Sequence, residues 1–119
     1  MSQPMEVCER VLGLVDQGVE AEVSVTTGTE ALTRFATGFI HQNVADELRQ
    51  VHLRVAVDGR IAEATTTQVS DDALAALVRS ALDAAALQPV DPGWPGLAPV
   101  ASARDVDHWD DATARAEPA

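Results

Sequence analysis

Apolar and polar residues alternate along residues 51–57, which is the period-two pattern of a half-buried β-strand. Asp58 and Gly59 follow directly, and a glycine at the second position tolerates the positive φ that a type I′ hairpin turn requires. The next run, residues 60–68, is rich in β-branched threonine, which favours a second strand. The pattern therefore predicts a β-hairpin that turns at Asp58-Gly59.

An amphipathic helix is predicted directly after this hairpin. Ser70 can cap its N-terminus, and Asp71 and Asp72 lie where the positive end of the helix dipole favours anions. The apolar residues that follow have helical spacing and share one face: Leu74, Leu77, Val78, Ala81, Leu82 and Ala85. Gln88-Pro89 ends the helix, and we expect its apolar face to pack on the hairpin.

The first 47 residues predict another helix and several short strands. Ser2 is a candidate N-cap, Gly18 suits the end of the helix, and the apolar stripe consists of Met5, Cys8, Val11, Leu12 and Val15. Short strands are predicted at residues 21–26, 32–36 and 39–44. Turns are expected at residues 28–30 and 45–47, and a turn or a β-bulge at residues 37–38.

The predicted fold class is α+β, with an antiparallel sheet of three to four strands and two helices on one face, in the order α-β-β-β-β-α. Residues 1–88 form the predicted domain. Residues 89–119 are predicted to be a Pro/Gly-rich strap and an acidic tail, because prolines and glycines between 89 and 99 forbid regular structure. We expect Trp94 and Leu97 to pin the strap to the domain. The tail ends without a closing element, so we expect a truncated chain.

The sheet face away from the helices is predicted to be polar and suited to a partner surface or a cleft wall. Strand alternation places these residues on it: Ser24, Thr26, Arg34, Gln42, Gln50, His52 and Arg54. A single β-bulge would move some of them to the other face.

Composition restricts the class of function. The net charge is −11, from 19 acidic and 8 basic residues, so phosphate backbones and anionic membrane surfaces are repelled. We expect neither nucleic acid nor a membrane as a partner. No apolar run approaches the ~20 residues of a membrane span, and the start lacks the features of a signal peptide. A single cysteine is compatible with a reducing compartment, so a cytoplasmic location is expected.

The residues themselves predict no catalytic or metal-binding site. His41, His52 and His108 are not paired with another ligand at helical spacing, and no nucleophile has an adjacent base in sequence. Cys8 lies on an apolar stripe, which favours a buried, inert thiol.

Residues 32–43 (Leu-Thr-Arg-Phe-Ala-Thr-Gly-Phe-Ile-His-Gln-Asn) resemble the family of TldD and PmbA (TldE), the modulator-of-DNA-gyrase metallopeptidases. Further landmarks agree in order along nearly the whole chain: residues 58–60 in the hairpin, the helix from Ser70, and the proline-rich strap. Residues 109–113 (Trp-Asp-Asp-Ala-Thr) resemble the family's Tyr/Trp-Asp-x-x-Thr segment. The resemblance implies the N-terminal domain of a considerably longer protein.

The resemblance implies a cytoplasmic zinc peptidase that acts on unfolded peptides or proteins and dimerises, with a paralogue or with itself, around a cavity. The family's zinc is held by a His-Glu-x-x-x-(His/Asp) helix and a distant Cys in the C-terminal domain, and this sequence contains none of those positions. We therefore expect no catalytic residue, metal ligand or cofactor in this chain. Whether the parent is the zinc-bearing or the zinc-free paralogue, and hence an enzyme, stays open.

Two functional hypotheses follow. In the first, the chain is the substrate-cavity and assembly domain of such a peptidase and is not catalytic by itself. Arg34, His41 and Gln42 are its candidate peptide contacts, because a strand edge with exposed donors can pair with extended chain; alternatively, Arg34 and Gln42 only satisfy neighbouring polar groups. In the second, the chain is a stand-alone interaction module that binds a protein through its polar sheet face.

Overall fold

The computed structural model describes residues 3–118 and confirms the α+β class. Its elements are α1 (Gln3–Leu14), β1 (Glu20–Ala36), β2 (Phe39–Val57), β3 (Arg60–Thr66), α2 (Asp71–Leu87) and α3 (Asp111–Ala114). The strands form one antiparallel sheet in the order β1-β2-β3. The predicted N-cap, Ser2, and the last residue of the predicted tail, Ala119, lie outside the described residues.

The chain divides into two compact units. The first contains the residues up to Gly28 together with Glu47–Leu97, and thus α1, β3, α2 and parts of β1 and β2. The second contains Thr29–Asp46 and the residues from Ala98 onward, and thus the remaining parts of β1 and β2 together with α3.

The core of the first unit lies between the sheet and the two long helices. The five largest of its fully buried side chains are Val11 from α1, Val51, Leu53 and Val55 from β2, and Leu74 from α2. Burial of such a side chain contributes about 1.5–3 kcal/mol. The alternation in β2 and the helical spacing in α2 are confirmed, and both helices cover the same face of the sheet.

The apolar stripe predicted for α1 is partly wrong. The buried residues of α1 are Val11, which the stripe included, and Val7, which it did not. Met5 and Leu12, both predicted on the stripe, are 52% and 45% exposed. Val7 and Val11 are four residues apart and therefore lie on the same side of the helix, so α1 contacts the core through a narrow strip of its surface. Cys8 is half-buried, with its Sγ 4.0 Å from the carbonyl oxygen of Val23.

Both hairpin turns consist of two residues with positive φ, as type I′ turns require. Asp58 and Gly59 have φ of 51° and 75°, and Thr37 and Gly38 have φ of 56° and 80°. The cap predicted for α2 is also confirmed, since the hydroxyl of Ser70 accepts a hydrogen bond from the backbone N–H of Ala73 at 3.3 Å.

The turns predicted at residues 28–30 and 45–47 are wrong, because β1 and β2 run unbroken through them. The sheet therefore has three strands, and residues 39–44 belong to β2 instead of forming a strand of their own. Paired strands satisfy each other's backbone groups, which sustains extended backbone across weak β-formers such as Gly28. None of the helices within residues 3–118 has the length and apolarity needed to span a bilayer.

Candidate functional site: the sheet surface and the β1–β2 hairpin

The segment that follows α2, residues 88–97 (here the strap), is hydrogen-bonded to the rest of the first unit at three points. The guanidinium of Arg60 donates to the carbonyl oxygen of Gln88. The backbone N–H of Asp91 donates to the carbonyl oxygen of Gly59, in the β2–β3 turn, at 2.7 Å. Glu20, at the start of β1, accepts from Trp94 Nε1 at 2.8 Å and from the backbone N–H of Leu97 at 3.0 Å. The expectation that Trp94 and Leu97 pin the strap is confirmed, and Glu20 is the group that holds them.

The Glu20 carboxylate depends on its charge for this role. The indole N–H of Trp94 and the backbone N–H of Leu97 lower the pKa of Glu20 below its ordinary value, because both hydrogen bonds favour the ionised form. Gly96, between the two donors, has a φ of 85°, and a Cβ there would lie 3.0 Å from a Glu20 carboxylate oxygen. The backbone at this point is therefore closely fitted to the carboxylate.

The polar face of the sheet in the first unit carries a chain of paired polar and charged side chains. Glu63 on β3 lies 3.1 Å from His52 Nε2 and accepts from Arg54 Nε at 3.0 Å, and Arg54 Nη1 lies 3.8 Å from Glu22 on β1. His52 and Arg54, in that order, lower the pKa of Glu63. These side chains satisfy one another, and all four remain partly exposed to solvent.

The three candidate peptide contacts lie in the second unit, on neighbouring strands of one hairpin. Arg34 is on β1, His41 and Gln42 are on β2, and all three are exposed. The imidazole of His41 lies against the ring of Phe39, with 4.3 Å between centroids and a tilt of 46°. Because His41 and Gln42 are consecutive on β2, their side chains point to opposite faces of the sheet. Contact of the three residues with peptide stays a prediction.

The second unit also contains a cleft of about 390 Å³ at the β1–β2 turn, here the hairpin cleft. Its lining residues come from both strands, the turn and the tail: Thr33, Phe35, Gly38, Phe39, Ile40 and Pro118. Phe35 and Phe39 are 76% and 58% exposed. The hydroxyl of Thr33 donates to Asn43 Oδ1 at 3.0 Å and ties the two strands together. This end of the hairpin thus presents aromatic surface to solvent.

Residues 109–113, the Trp-Asp-x-x-Thr segment, form the start of the one-turn helix α3. The carboxylate of Asp110 accepts from the backbone N–H of Thr113 at 2.9 Å and from its hydroxyl. Both bonds favour the ionised form, the hydroxyl more than the backbone, and lower the pKa of Asp110. The indole N–H of Trp109 donates to Asp111 Oδ1 at 2.7 Å. An Asp followed by Thr three residues later is therefore a helix cap here.

The donor set for zinc is missing from the described part of the chain. Within residues 3–118, no three His, Cys, Asp or Glu side chains lie close enough together to hold a metal ion. The residues present therefore do not fit the zinc site that the resemblance implies for the family, and no catalytic step is assigned to them.

Comparison with known proteins identifies the family. The model described as PmbA/TldA metallopeptidase domain 1 matches residues 21–85, which is more than half of the 119 residues. The chain belongs to the PmbA/TldD family. Among solved structures, TldE from Thermococcus kodakarensis is similar, with a TM-score of 0.68 and 16% sequence identity over 95% of this chain and 25% of the TldE chain. None of the curated proteins matches the chain.

The two matches differ in what they cover. The family match extends from β1 to α2, so the resemblance of residues 32–43 to TldD and PmbA is confirmed. The match to TldE extends over nearly the whole chain, and at 16% identity it shows the fold of a PmbA/TldD N-terminal domain. The chain spans one quarter of the length of that TldE chain.

Sequence reasoning missed two carboxylates of the first unit that hold several partners, Glu63 and Glu20. The pairing of Glu63 with Arg54 could have been predicted, because a two-residue turn at Asp58-Gly59 fixes a register in which Arg54 lies opposite Glu63. Glu20 gave no such signal, since its partner Trp94 lies 74 residues further along the chain.

Proposed function

We propose that this chain is the N-terminal domain of a PmbA/TldD-type zinc metallopeptidase that acts on unfolded peptides. In this proposal it supplies part of the substrate cavity and of the assembly contact, and zinc is held by another domain of the protein. The observation that carries the proposal is the family match over residues 21–85, together with a fold that covers only a quarter of a TldE chain. The cytoplasm is its proposed location.

The surface chemistry of the described residues supports a binding role. On the polar face of the first unit, Glu63 accepts from Arg54 Nε at 3.0 Å and lies 3.1 Å from His52 Nε2, and such charged and polar side chains offer hydrogen bonds to a partner. The strand β1 extends over 17 residues at one side of the sheet, and such an edge can accept an extended chain as an additional strand. Arg34, on the same strand, offers a charged donor to such a chain.

The assembly partner in this proposal is a PmbA/TldD paralogue or a second copy of the complete protein. Exposed apolar residues of the tail are the surface that we assign to contacts within that assembly: Val100, Val106 and Trp109. Large exposed apolar side chains typically mark interaction surfaces when several occur together. Nucleic acid is not a proposed partner, because a net charge of −11 repels phosphate.

The experiment that tests the proposal is isolation of the natural gene product, with its mass, metal content and peptidase activity measured. We expect a mass well above 12.6 kDa and cleavage of an unfolded peptide that a zinc chelator abolishes, either by the product itself or by its complex with a zinc-bearing paralogue. The 119-residue chain alone should cleave nothing. A natural product of 12.6 kDa would instead favour the stand-alone interaction module.

The candidate contacts can be tested in the same protein. If Arg34, His41 and Gln42 touch peptide away from the reacting atoms, alanine at each position raises KM and leaves kcat unchanged. A matched control is Glu30→Gln, on the same hairpin, for which we expect no change in either constant. Unchanged KM in all three variants would show that these side chains only satisfy their polar neighbours.

A further inference from the structure

We propose that the hairpin cleft binds one large apolar side chain of an extended peptide whose backbone pairs with the outer edge of β1. This inference deepens the proposed function and rests on it for the class of ligand. It adds a defined pocket and a defined strand to the general statement that the domain faces peptide.

The edge of β1 is available for such pairing. In the sheet order β1-β2-β3, β1 has a strand neighbour on one side. Within the described chain, no backbone hydrogen bond joins residues 98–118 to β1, although that segment and residues 29–36 belong to the same unit. The outward N–H and C=O groups of an edge strand are the chemistry that selects an extended peptide over a helix, whose backbone groups are already paired.

The position of the cleft fits a side chain carried by that peptide. Thr33 and Phe35 are two residues apart on β1, so they lie on one face of the strand. A peptide paired with β1 would lie about 4.8 Å away, and every second side chain would point to the same face as Phe35. The volume of about 390 Å³ falls within the range of roughly 300–1,000 Å³ that is typical of ligand pockets.

The charge distribution favours a neutral, apolar peptide over a second copy of this chain. Two copies that each carry a net charge of −11 repel one another. The segment 29–46 differs from the rest, because it contains two acidic residues, Glu30 and Asp46, and one basic residue, Arg34. An uncharged peptide therefore meets apolar surface at the cleft without meeting the charge that the rest of the chain carries.

The test measures fluorescence anisotropy of a labelled peptide, Ser-Thr-Thr-Phe-Thr-Thr-Ser, with the 119-residue chain in the presence of a metal chelator. We expect saturable binding. Replacing the phenylalanine of the peptide by serine should weaken it by about tenfold or more, because the apolar burial is lost. Methylation of alternate backbone nitrogens in the peptide should weaken it to a similar degree, because strand pairing needs those N–H groups.

Variants of the chain locate the site. Phe35→Ser and Phe39→Ser should each weaken binding by about tenfold, while Leu87→Ser, which removes a leucine that is 86% exposed at the end of α2, should change nothing. Because both phenylalanines are exposed, all three variants should retain the circular dichroism spectrum of the parent chain.

Four outcomes overturn the proposal. These are no saturable binding, equal binding of the N-methylated peptide, equal binding by Phe35→Ser, and a dimer in analytical ultracentrifugation that disappears in Phe35→Ser. The last outcome would assign the cleft to a second copy of the chain. None of these measurements involves zinc or the mass of the natural protein, so failure here is distinguishable from failure of the proposed function.

Discussion

The two hairpin turns of this chain share one backbone geometry and have opposite surroundings. Asp58-Gly59 and Thr37-Gly38 are both two-residue turns with positive φ. Beside the first turn, Val55 is fully buried and the strap lies against Gly59, whereas beside the second turn Phe35 is 76% exposed. Turn chemistry therefore sets the hairpin, and the elements that pack with it decide whether the hairpin becomes core or surface.

The difference lies in which helix belongs to the same unit as each hairpin. The β2–β3 hairpin precedes α2, whose residues Leu74, Leu77 and Ala81 cover it. The β1–β2 hairpin end belongs to a unit whose other part, as described from Ala98 to Pro118, contains one helix of four residues. A helix of one turn has no apolar face wide enough to bury a strand pair.

The largest expected effect is the difference in unfolding free energy between a variant of a core residue and a variant of a cleft residue. Leu53→Ala removes a fully buried side chain and should lower the free energy of unfolding by about 2–5 kcal/mol. Phe35→Ala should change it by less than about 0.5 kcal/mol, because most of that ring is already in contact with water. Urea denaturation measures both, and similar losses would refute the contrast between the two hairpins.

The second-largest effect should be a difference in stability between alanine variants of the two turn glycines. Alanine at Gly59 or at Gly38 must adopt positive φ, at a cost of about 1–2 kcal/mol. At Gly59 the added Cβ would also lie 3.0 Å from Val90 Cγ1, whereas at Gly38 no atom lies within 4 Å. We therefore expect Gly59→Ala to cost more in thermal or urea denaturation. A larger loss in Gly38→Ala would contradict the close packing of the strap on the β2–β3 turn.

The strap should loosen in acid. Because the pKa of Glu20 is lower in the folded chain than in the unfolded chain, its stabilisation is present above the ordinary carboxyl value of about 4.3 and is lost as pH falls through the folded value. Trp94 fluorescence, followed in a Trp109→Phe background, should change in that acid range. Glu20→Gln should show the acid spectrum at neutral pH, and a pH-independent spectrum in the parent chain would exclude this role.

The smallest effect should come from the ion pairs of the polar face. Glu63→Gln breaks contacts to His52 and Arg54, but the carboxylate is 51% exposed and solvent screens it. We expect a loss of at most about 0.5 kcal/mol of unfolding free energy at neutral pH. A double-mutant cycle with Arg54→Met measures the pair, and a coupling energy several times larger would mean that this surface is shielded from water.

The sequence predicted the fold of the β2–β3 hairpin and α2 better than that of the β1–β2 hairpin. The alternation of residues 51–57 and the stripe of α2 agree with each other, because each supplies the apolar face that the other must bury. The continuity of β1 and β2 was not predictable in this way. Gly28 and residues 45–47 have turn-like composition, and only pairing with a distant strand keeps them extended. The boundaries between the two units fall at these same places.

The candidate site was predictable in part for a related reason. Arg34, His41 and Gln42 were found through the resemblance of one contiguous segment, and the structure places them on neighbouring strands. The cleft beside them depends on Pro118, and the strap depends on Glu20 and Trp94, which are 74 residues apart. Contacts over such separations leave no trace in local periodicity.

The Glu20 fastening has a practical consequence for anyone who trims this domain. The residues that match the family, 21–85, stop one position after Glu20 at one end and nine positions before Trp94 at the other. A fragment cut at those limits would lose both halves of the fastening, and with α1 it would lose Val7 and Val11 from the core. We expect such a fragment to aggregate on expression, and one that retains residues 3–97 to remain monodisperse.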